Sequence, residues 1–234
     1  ANWQVSAIET KRVKRRPSPP FTTSTLQQEA SRKLGFSASR TMQIAQKLYE
    51  GINLGSETTG LITYMRTDGV QMSFEAIGQI REAIQQTIGA DFVPEKPRVY
   101  KSKAANAQEA HEAIRPTTIW RHPDEVRKCL DFDQFRLYEL IWKRTIASQM
   151  ADAQLDQTAA DLSATTDDLT MRANGSVIIF DGFMKIYRED RDDQEDKSAD
   201  PQNRILPPLS QGQYMAVQQV HPEQHFTQPP PRYT

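Results

Sequence analysis

Residues 60–68 read Gly-Leu-Ile-Thr-Tyr-Met-Arg-Thr-Asp and hold the most informative chemistry of the chain. The apolar pair Leu61-Ile62 predicts a short buried strand, and Thr67–Gly69 predicts the turn that ends it. Because side chains alternate across a strand, Tyr64 and Arg66 are expected on one face. The stretch therefore predicts a phenol and a guanidinium presented together.

This combination suits attack on a phosphodiester. A phenol is a weak nucleophile at its ordinary pKa of about 10, and a nearby cation favours the phenolate. The same cation would neutralise charge that builds on the phosphoryl oxygens. A structural interpretation competes with the catalytic one, since a tyrosine in an apolar strand commonly packs in the core with its hydroxyl at the surface. Spacing alone leaves both interpretations open.

A second polar segment, residues 108–117, reads Gln-Glu-Ala-His-Glu-Ala-Ile-Arg-Pro-Thr. Pro116 cannot continue a helix, so we predict a short helix or turn with His111 and Arg115 four residues apart on one face. Such a pair could grip a phosphate. The alternative is a solvated helix in which Glu112 pairs loosely with Arg115. The zinc-protease pattern does not fit, because its second histidine is missing.

The region from Pro20 to Gly51 predicts two short helices in a helix-turn-helix arrangement. Gly35 is expected to stop the first helix, and the glycine at the end of the region to stop the second. Arg40 and Lys47 would lie on or near the exposed side of the second helix. The candidate caps of the first helix are Thr23, Ser24 and Thr25, and Ser24 and Thr25 stand in capping-box spacing with Gln27 and Gln28. Ser37 or Ser39 is the candidate cap of the second helix.

The rest of the chain predicts helices in the middle and strands at the ends. Apolar spacing indicates a helix at Phe74–Ile88, with Ser73 as its cap and Gly89 at its end, and another at about Asp133–Met150. Asn174-Gly175 indicates a hairpin turn. Strand patterns occur at Trp3–Ala7, Leu169–Ala173, Ser176–Phe180 and Tyr214–Val217. We therefore predict a multi-domain α+β fold in which a mainly helical domain is inserted into a split β domain. The expected segments are 1–19 and 151–234 for the β domain and 20–150 for the helical domain.

Composition predicts a soluble intracellular protein. No apolar run approaches the roughly 20 residues of a membrane span, and a single cysteine, Cys129, excludes internal disulfides within the chain. The net charge of −1 hides an asymmetry. Residues 1–150 hold 22 basic and 16 acidic residues, a balance of +6, and residues 151–234 hold 7 and 14, a balance of −7. The basic run Lys11–Arg16 could contact phosphates or form a solvated linker.

Three segments in one order, residues 20–28, 60–68 and 108–116, closely resemble the type IA DNA topoisomerases. Met65 makes the second segment look more like bacterial topoisomerase I than topoisomerase III, where proline is common. The resemblance covers nearly the whole chain and implies winged-helix-like elements in the helical domain, with the split β domain acting as a hinge. Gly69 departs from the usual serine, which could remove a hydrogen bond or could ease the turn.

The resemblance also implies roles for individual residues. Tyr64 would attack one DNA strand and become joined to the 5′ phosphate, the other strand would pass, and the break would be resealed. Arg66 would contact the scissile phosphate, and His111 would donate to it. Asp68 would orient Arg66 or the turn. Further candidate DNA contacts are Asp68, Arg115 and Arg40.

In this family an acidic cluster in a separate N-terminal domain binds magnesium. The resemblance thus implies Mg²⁺ in the full-length enzyme, with ligands outside this chain, and an internal fragment that is inactive without that domain. The expected partner is DNA, single-stranded at the cleavage site, and we expect a monomer in the bacterial cytoplasm, at the nucleoid, without membrane contact. Two alternatives remain: a non-catalytic helix-turn-helix DNA-binding module, and a structural hinge without DNA affinity.

Overall fold

The computed structural model describes residues 3–101, 111–164, 169–188, 206–207, 209–219, 221–222, 224 and 226. Within these residues the protein combines five α-helices with β-structure, as predicted. The helices are α1 (Thr23–Leu34), α2 (Ala38–Glu50), α3 (Phe74–Thr87), α4 (Pro123–Val126) and α5 (Phe132–Ser148). The strands are β1 (Trp3–Arg15), β2 (Ile52–Asn53), β3 (Thr58–Thr59), β4 (Ala153–Ala164), β5 (Thr170–Phe180) and β6 (Tyr214–Met215).

The chain divides into two compact units. One comprises Ala1–Lys11, Gln157–Val177 and Ser198–Thr234. The other comprises Arg12–Asp156 and Ile178–Lys197 and contains all five helices just named. The boundaries of an inserted helical domain at residues 20 and 150 remain a prediction.

The first helix begins earlier than its sequence pattern suggested. Thr22 is the N-cap, and it forms a reciprocal capping box with Thr25: the Thr25 amide donates to Thr22 Oγ1 at 3.3 Å, and the Thr22 amide donates to Thr25 Oγ1 at 2.9 Å. The predicted boxes with Gln27 and Gln28 are wrong, because a threonine three residues after the cap satisfies the orphan amide instead. Gly35 ends the helix in the left-handed conformation with φ of 71°, as predicted.

The second and third helices begin at predicted caps, and the fifth lies close to its predicted range. Ser37 caps α2, Gly51 follows its end, and Ser73 caps α3. Asp131 caps α5 through a capping box with Gln134. The apolar faces of these helices meet in one core, whose fully buried members include Leu26, Leu48, Ile80, Ile84, Leu137 and Ile141.

A four-stranded sheet has the order β5-β4-β1-β6. β6 pairs antiparallel with β1, with Trp3 opposite Met215 and Gln4 opposite Tyr214. β1 extends to Arg15, so most of the basic run Lys11–Arg16 is part of a strand rather than a solvated linker. Arg12 pairs there with Asp156, through bonds of 2.8 and 3.0 Å. Strand pairing therefore overrides the polar composition of this segment.

The hairpin predicted at Asn174-Gly175 is wrong. β5 is continuous from Thr170 to Phe180, and Gly175 and Ser176 are buried within it. β4 ends at Ala164 and β5 begins at Thr170, and the Ala164 amide donates to the Leu169 carbonyl at 3.0 Å. The ladder with a neighbouring strand thus outweighs the local turn preference. β6 is also shorter than the predicted strand, and Val220 lies outside the described residues.

Candidate active site

The segment carrying Tyr64 is irregular rather than a strand. Its one β-bridge joins Ile62 to Pro116, so the predicted strand is wrong. Alternation of burial nevertheless survives, because Met65 is 1% exposed while Arg66 is exposed and Tyr64 is half-buried. Burial of the apolar side chains fixes the segment against the core without a regular ladder.

On one side, Thr63 ties the segment to residues 113–115. The Thr63 amide donates to the Arg115 carbonyl at 2.9 Å, and the Arg115 amide donates back to Thr63 Oγ1 at 3.0 Å. Thr63 Oγ1 itself donates to the Ala113 carbonyl at 2.7 Å. The residue directly before Tyr64 is therefore held by three hydrogen bonds to a segment distant in sequence.

On the other side, Thr23 at the start of α1 holds the segment. The Thr67 amide donates to Thr23 Oγ1 at 2.9 Å, and that hydroxyl donates to the Met65 carbonyl at 2.8 Å. The Thr23 amide donates to the Thr67 carbonyl at 2.9 Å. Tyr64 is thus carried between two backbone clamps, a geometry that preorganises its side chain.

The described part of the second predicted segment, residues 111–116, is extended, so the predicted helix or turn is wrong there. Residues 108–110 lie outside the described residues. The Ala113 amide donates to Gln71 at 2.9 Å, and the Ile114 amide donates to Phe21 at 2.8 Å. These long-range bonds replace the helical ladder, and Pro116 could not have extended that ladder.

The extended segment brings His111 to Tyr64. Their ring centroids are 5.2 Å apart with an interplanar angle of 46°. On another side Tyr49, from α2, packs edge-on against Tyr64, with centroids 5.5 Å apart and an angle of 68°. Tyr64 therefore lies in contact with one imidazole and one phenol, and the exposed His111 is placed beside its ring.

Arg115 faces a carboxylate. Its Nε and Nη2 lie 2.8 and 2.6 Å from Glu112 Oε2, and its Nη1 donates to the Pro116 carbonyl at 3.0 Å. Glu112 Oε1 also accepts the Ser73 amide at 2.9 Å. Glu112 and Arg115 are thus tightly paired, and a role for Arg115 on DNA stays a prediction.

Arg66 lies in a groove of about 860 Å³ between α2 and the start of α5. The groove is lined by Ser39, Arg40, Met42, Gln43, Ile44, Gln46, Lys47, Arg66, Asp131 and Asp133. Arg40 is paired with Asp133. Asp68 is exposed, and within the part of the chain that the structure describes no ion pair joins it to Arg66. The groove therefore collects three cations around the exposed side of α2.

Gly69 is needed for close packing rather than for an unusual turn. Its φ angle is not positive, so the turn does not require glycine for its backbone conformation. A Cβ built on it would fall well inside 3.0 Å of the His111 carbonyl oxygen, and 3.1 Å from Thr67 Oγ1. Glycine thus lets the His111 backbone approach the turn that follows Tyr64.

Comparison with known proteins places the chain in a family. A sequence model of the DNA topoisomerase family matches residues 1–234. The chain belongs to the type IA DNA topoisomerases. DNA topoisomerase 1 of Rickettsia felis is 55% identical over 233 residues, covering 100% of this chain and 30% of that protein. DNA topoisomerase 1 of Xylella fastidiosa (strain Temecula1) is 51% identical over 231 residues, covering 98% of this chain and 28% of that protein.

A solved topoisomerase shares the fold. The structure of full-length topoisomerase I from Thermotoga maritima matches with a TM-score of 0.72 and 39% identity, over 91% of this chain and 32% of that chain. The chain spans about 30% of the length of the curated topoisomerases it matches. Against these relatives, a non-catalytic helix-turn-helix module is not the favoured interpretation.

The described residues of this topoisomerase chain do not fit a magnesium site. Among them, no group of three or more His, Cys, Asp or Glu is placed to hold a metal ion. No helix in the described ranges is long and apolar enough to cross a membrane. Three carboxylates described at the site are engaged with protein groups: Glu112 pairs with Arg115, Asp133 with Arg40, and Asp131 caps α5.

Sequence reasoning missed the residues that position the tyrosine of this topoisomerase chain. The sequence indicated Thr23 only as a candidate helix cap, and Thr63 and Tyr49 gave no individual signal, because a threonine or tyrosine beside a motif has many ordinary roles. Their contacts bridge 44 residues from Thr23 to Thr67 and 52 residues from Thr63 to Arg115. Only the presence of both threonines within the resembling segments pointed to them.

Proposed function

We propose that this chain carries the strand-cleaving tyrosine of a type IA DNA topoisomerase, with Tyr64 as nucleophile. The single observation that carries the proposal is the placement of the Tyr64 ring beside His111, between backbone clamps on both sides. A nucleophile held in this way loses little conformational entropy when it attacks.

The proposed step is a transesterification. Tyr64 Oη forms a bond to phosphorus, and the bond from phosphorus to the 3′ oxygen of the preceding nucleotide breaks. The phenol gives up one proton and the departing 3′ oxygen takes one, so the step is balanced and can run backwards to reseal the strand. A 5′-phosphotyrosine stores the bond energy meanwhile, and no ATP is consumed.

Arg66 and His111 would assist at the phosphate. The exposed Arg66 would neutralise the oxygens of the phosphate in the transition state, and its planar fork suits two of them. His111, whose ring lies beside that of Tyr64, would donate a hydrogen bond to the same phosphate. Asp68, Arg115 and Arg40 are proposed as further DNA contacts.

The finer fold proposal concerns α1, α2 and the small sheet after them. β2 and β3 pair antiparallel, with Ile52 opposite Thr59 and Asn53 opposite Thr58. Two packed helices followed by a two-stranded ribbon support a winged-helix-like element, inserted in a split β domain that serves as a hinge. DNA, single-stranded at the break, is the proposed partner of a monomeric enzyme in the bacterial cytoplasm, with magnesium ligands outside this chain.

The test uses a full-length enzyme in which these 234 residues replace the matching region of the Rickettsia felis relative. With single-stranded DNA labelled on the 3′ side of the break, we expect label to stay with the protein on a denaturing gel. Tyr64→Phe should abolish this adduct and the relaxation of negatively supercoiled DNA, because the bonding oxygen is gone. DNA binding should persist.

Tyr49→Phe is the matched control, since its ring contacts the Tyr64 ring and is 40% exposed. It should retain the adduct. An adduct that survives Tyr64→Phe would refute the assignment of Tyr64 as nucleophile. An adduct that is lost only in Tyr49→Phe would assign Tyr49 as the nucleophile instead.

A further inference from the structure

We propose that Phe132, the first residue of α5, is a stacking platform for one unpaired base of the strand that lies in the groove beside Arg66. The inference rests on the proposed function, because it takes single-stranded DNA as the ligand. It adds a contact that none of the predicted site residues supplies.

Phe132 is positioned by its two neighbours. Asp131 and Asp133 both line the groove that contains Arg40, Lys47 and Arg66. Phe132 lies between them at the start of α5 and is 71% exposed. Its large apolar ring is outside the core and lies next in sequence to two lining residues, so its exposed face is available to a ligand.

Cations and rings interleave behind Phe132. The Arg136 guanidinium lies 5.4 Å from the centroid of the Phe132 ring and 5.4 Å from that of the Phe36 ring. Arg40 lies 5.5 Å from the same Phe36 centroid, and Phe36 is only 5% exposed. A buried ring thus supports two guanidiniums, one of which backs the exposed ring.

The charges of the groove suit a nucleic-acid backbone. The Asp131 carboxylate is used in capping α5, where it accepts the Gln134 amide at 2.8 Å, and Asp133 is paired with Arg40. Lys47 and Arg66 add positive charge along the same groove. Proteins that bind single strands without sequence preference generally hold the phosphates along a basic groove and stack the bases on exposed aromatic rings.

Binding of the 234-residue chain to fluorescent oligothymidylate tests the proposal. An abasic site is moved along the strand one nucleotide at a time. Wild type should lose about 5- to 100-fold in affinity at one position, the range for loss of one stacked base. Phe132→Ala should bind the intact strand more weakly by a similar factor and should no longer respond to that position.

Two variants serve as controls. Phe74 is also the first residue of a helix, follows a capping residue in the same way and is 79% exposed, but neither of its sequence neighbours lines the groove. Phe74→Ala should therefore leave binding unchanged. Phe132→Trp should keep the affinity and the abasic profile, because indole also stacks.

Equal binding by Phe132→Ala and wild type, or an unchanged abasic profile, would overturn the proposal. The full-length chimera distinguishes failure of the stacking proposal from failure of the proposed function. If the chimera with Tyr64 in place formed no adduct on that residue, while binding still depended on the base at one position, the catalytic assignment alone would be refuted. An intact adduct with no Phe132 effect would refute the stacking platform alone.

Discussion

Gly69→Ala should damage the site through the backbone of His111. The added Cβ would fall well inside 3.0 Å of the His111 carbonyl oxygen, where real Cβ atoms are essentially never found. Ordinary van der Waals contact begins at 3.4 Å, so the turn at position 69 and the segment that contains His111 must move apart. Both partners are backbone, and no side-chain rotation can relieve the clash. We therefore expect the His111 backbone and the turn that follows Tyr64 to separate.

The magnitude follows from two effects. Overpacking of a tight site costs about 1–3 kcal/mol of folding free energy. A shift of about 1 Å at a catalytic group can cost about 10²-fold in rate. We therefore expect the urea midpoint of the 234-residue chain to fall, and adduct formation by the chimera to slow by about 10²-fold, at a temperature where the variant is folded.

Gly78→Ala is the matched control, because Gly78 lies exposed within α3 and its added Cβ would meet nothing within 4 Å. It should stabilise the chain by about 0.5–1 kcal/mol through the unfolded state and leave cleavage unchanged. In the double variant Gly69→Ala/His111→Ala, cleavage should be no slower than in His111→Ala alone, since both changes act on one group. Normal stability and cleavage in Gly69→Ala would refute the reasoning, and additive rate losses would show that it does not act through His111.

Three further outcomes are expected. Arg66→Ala should slow cleavage by about 10²-fold or more and Arg66→Lys should recover only part, measured as adduct formation in the chimera; a fully active lysine variant would reduce Arg66 to a point charge. Glu112→Gln should release Arg115 and steepen the salt dependence of single-strand binding by about one counterion, whereas an unchanged slope would leave Arg115 structural. Burial raises the pKa of Tyr100 to about 12, and its hydroxyl donates to the Ser148 carbonyl at 2.8 Å. Because folding raises this pKa, the protonated Tyr100 phenol makes its full contribution to the free energy of unfolding below about pH 10. That contribution is lost as the pH rises towards 12. Tyr100→Phe should flatten part of that alkaline loss in urea titrations, and an identical pH profile would contradict the burial argument.

Elements defined by local signals were predictable from the sequence. The C-terminal glycine of α1, the serine caps of α2 and α3 and the apolar faces of α3 and α5 agree with the structure, because a helix is specified by residues three and four apart. The family also followed from three short segments in one order. These signals survive because they do not depend on which distant segment lies alongside.

Tertiary structure alone decided the rest. Asn174-Gly175 favours a turn locally, yet β5 runs straight through it. Residues 111–116 satisfy helical spacing in part, yet they are extended because Gln71 and Phe21 offer carbonyls to their amides. In both cases hydrogen bonds to distant partners outweigh preferences of a fraction of a kcal/mol per residue.

The candidate site shows the same division. The residue types at 64, 66 and 111 and their chemistry were readable from the chain, since a phenol, a guanidinium and an imidazole carry their reactivity with them. Their arrangement was not, because the contact of Tyr64 with His111 exists only where Thr63 and Thr23 bind segments that fold to meet them. The reason that position 69 is glycine likewise became visible only with the His111 carbonyl beside it. Sequence determined the chemical groups, and long-range packing decided which of them meet.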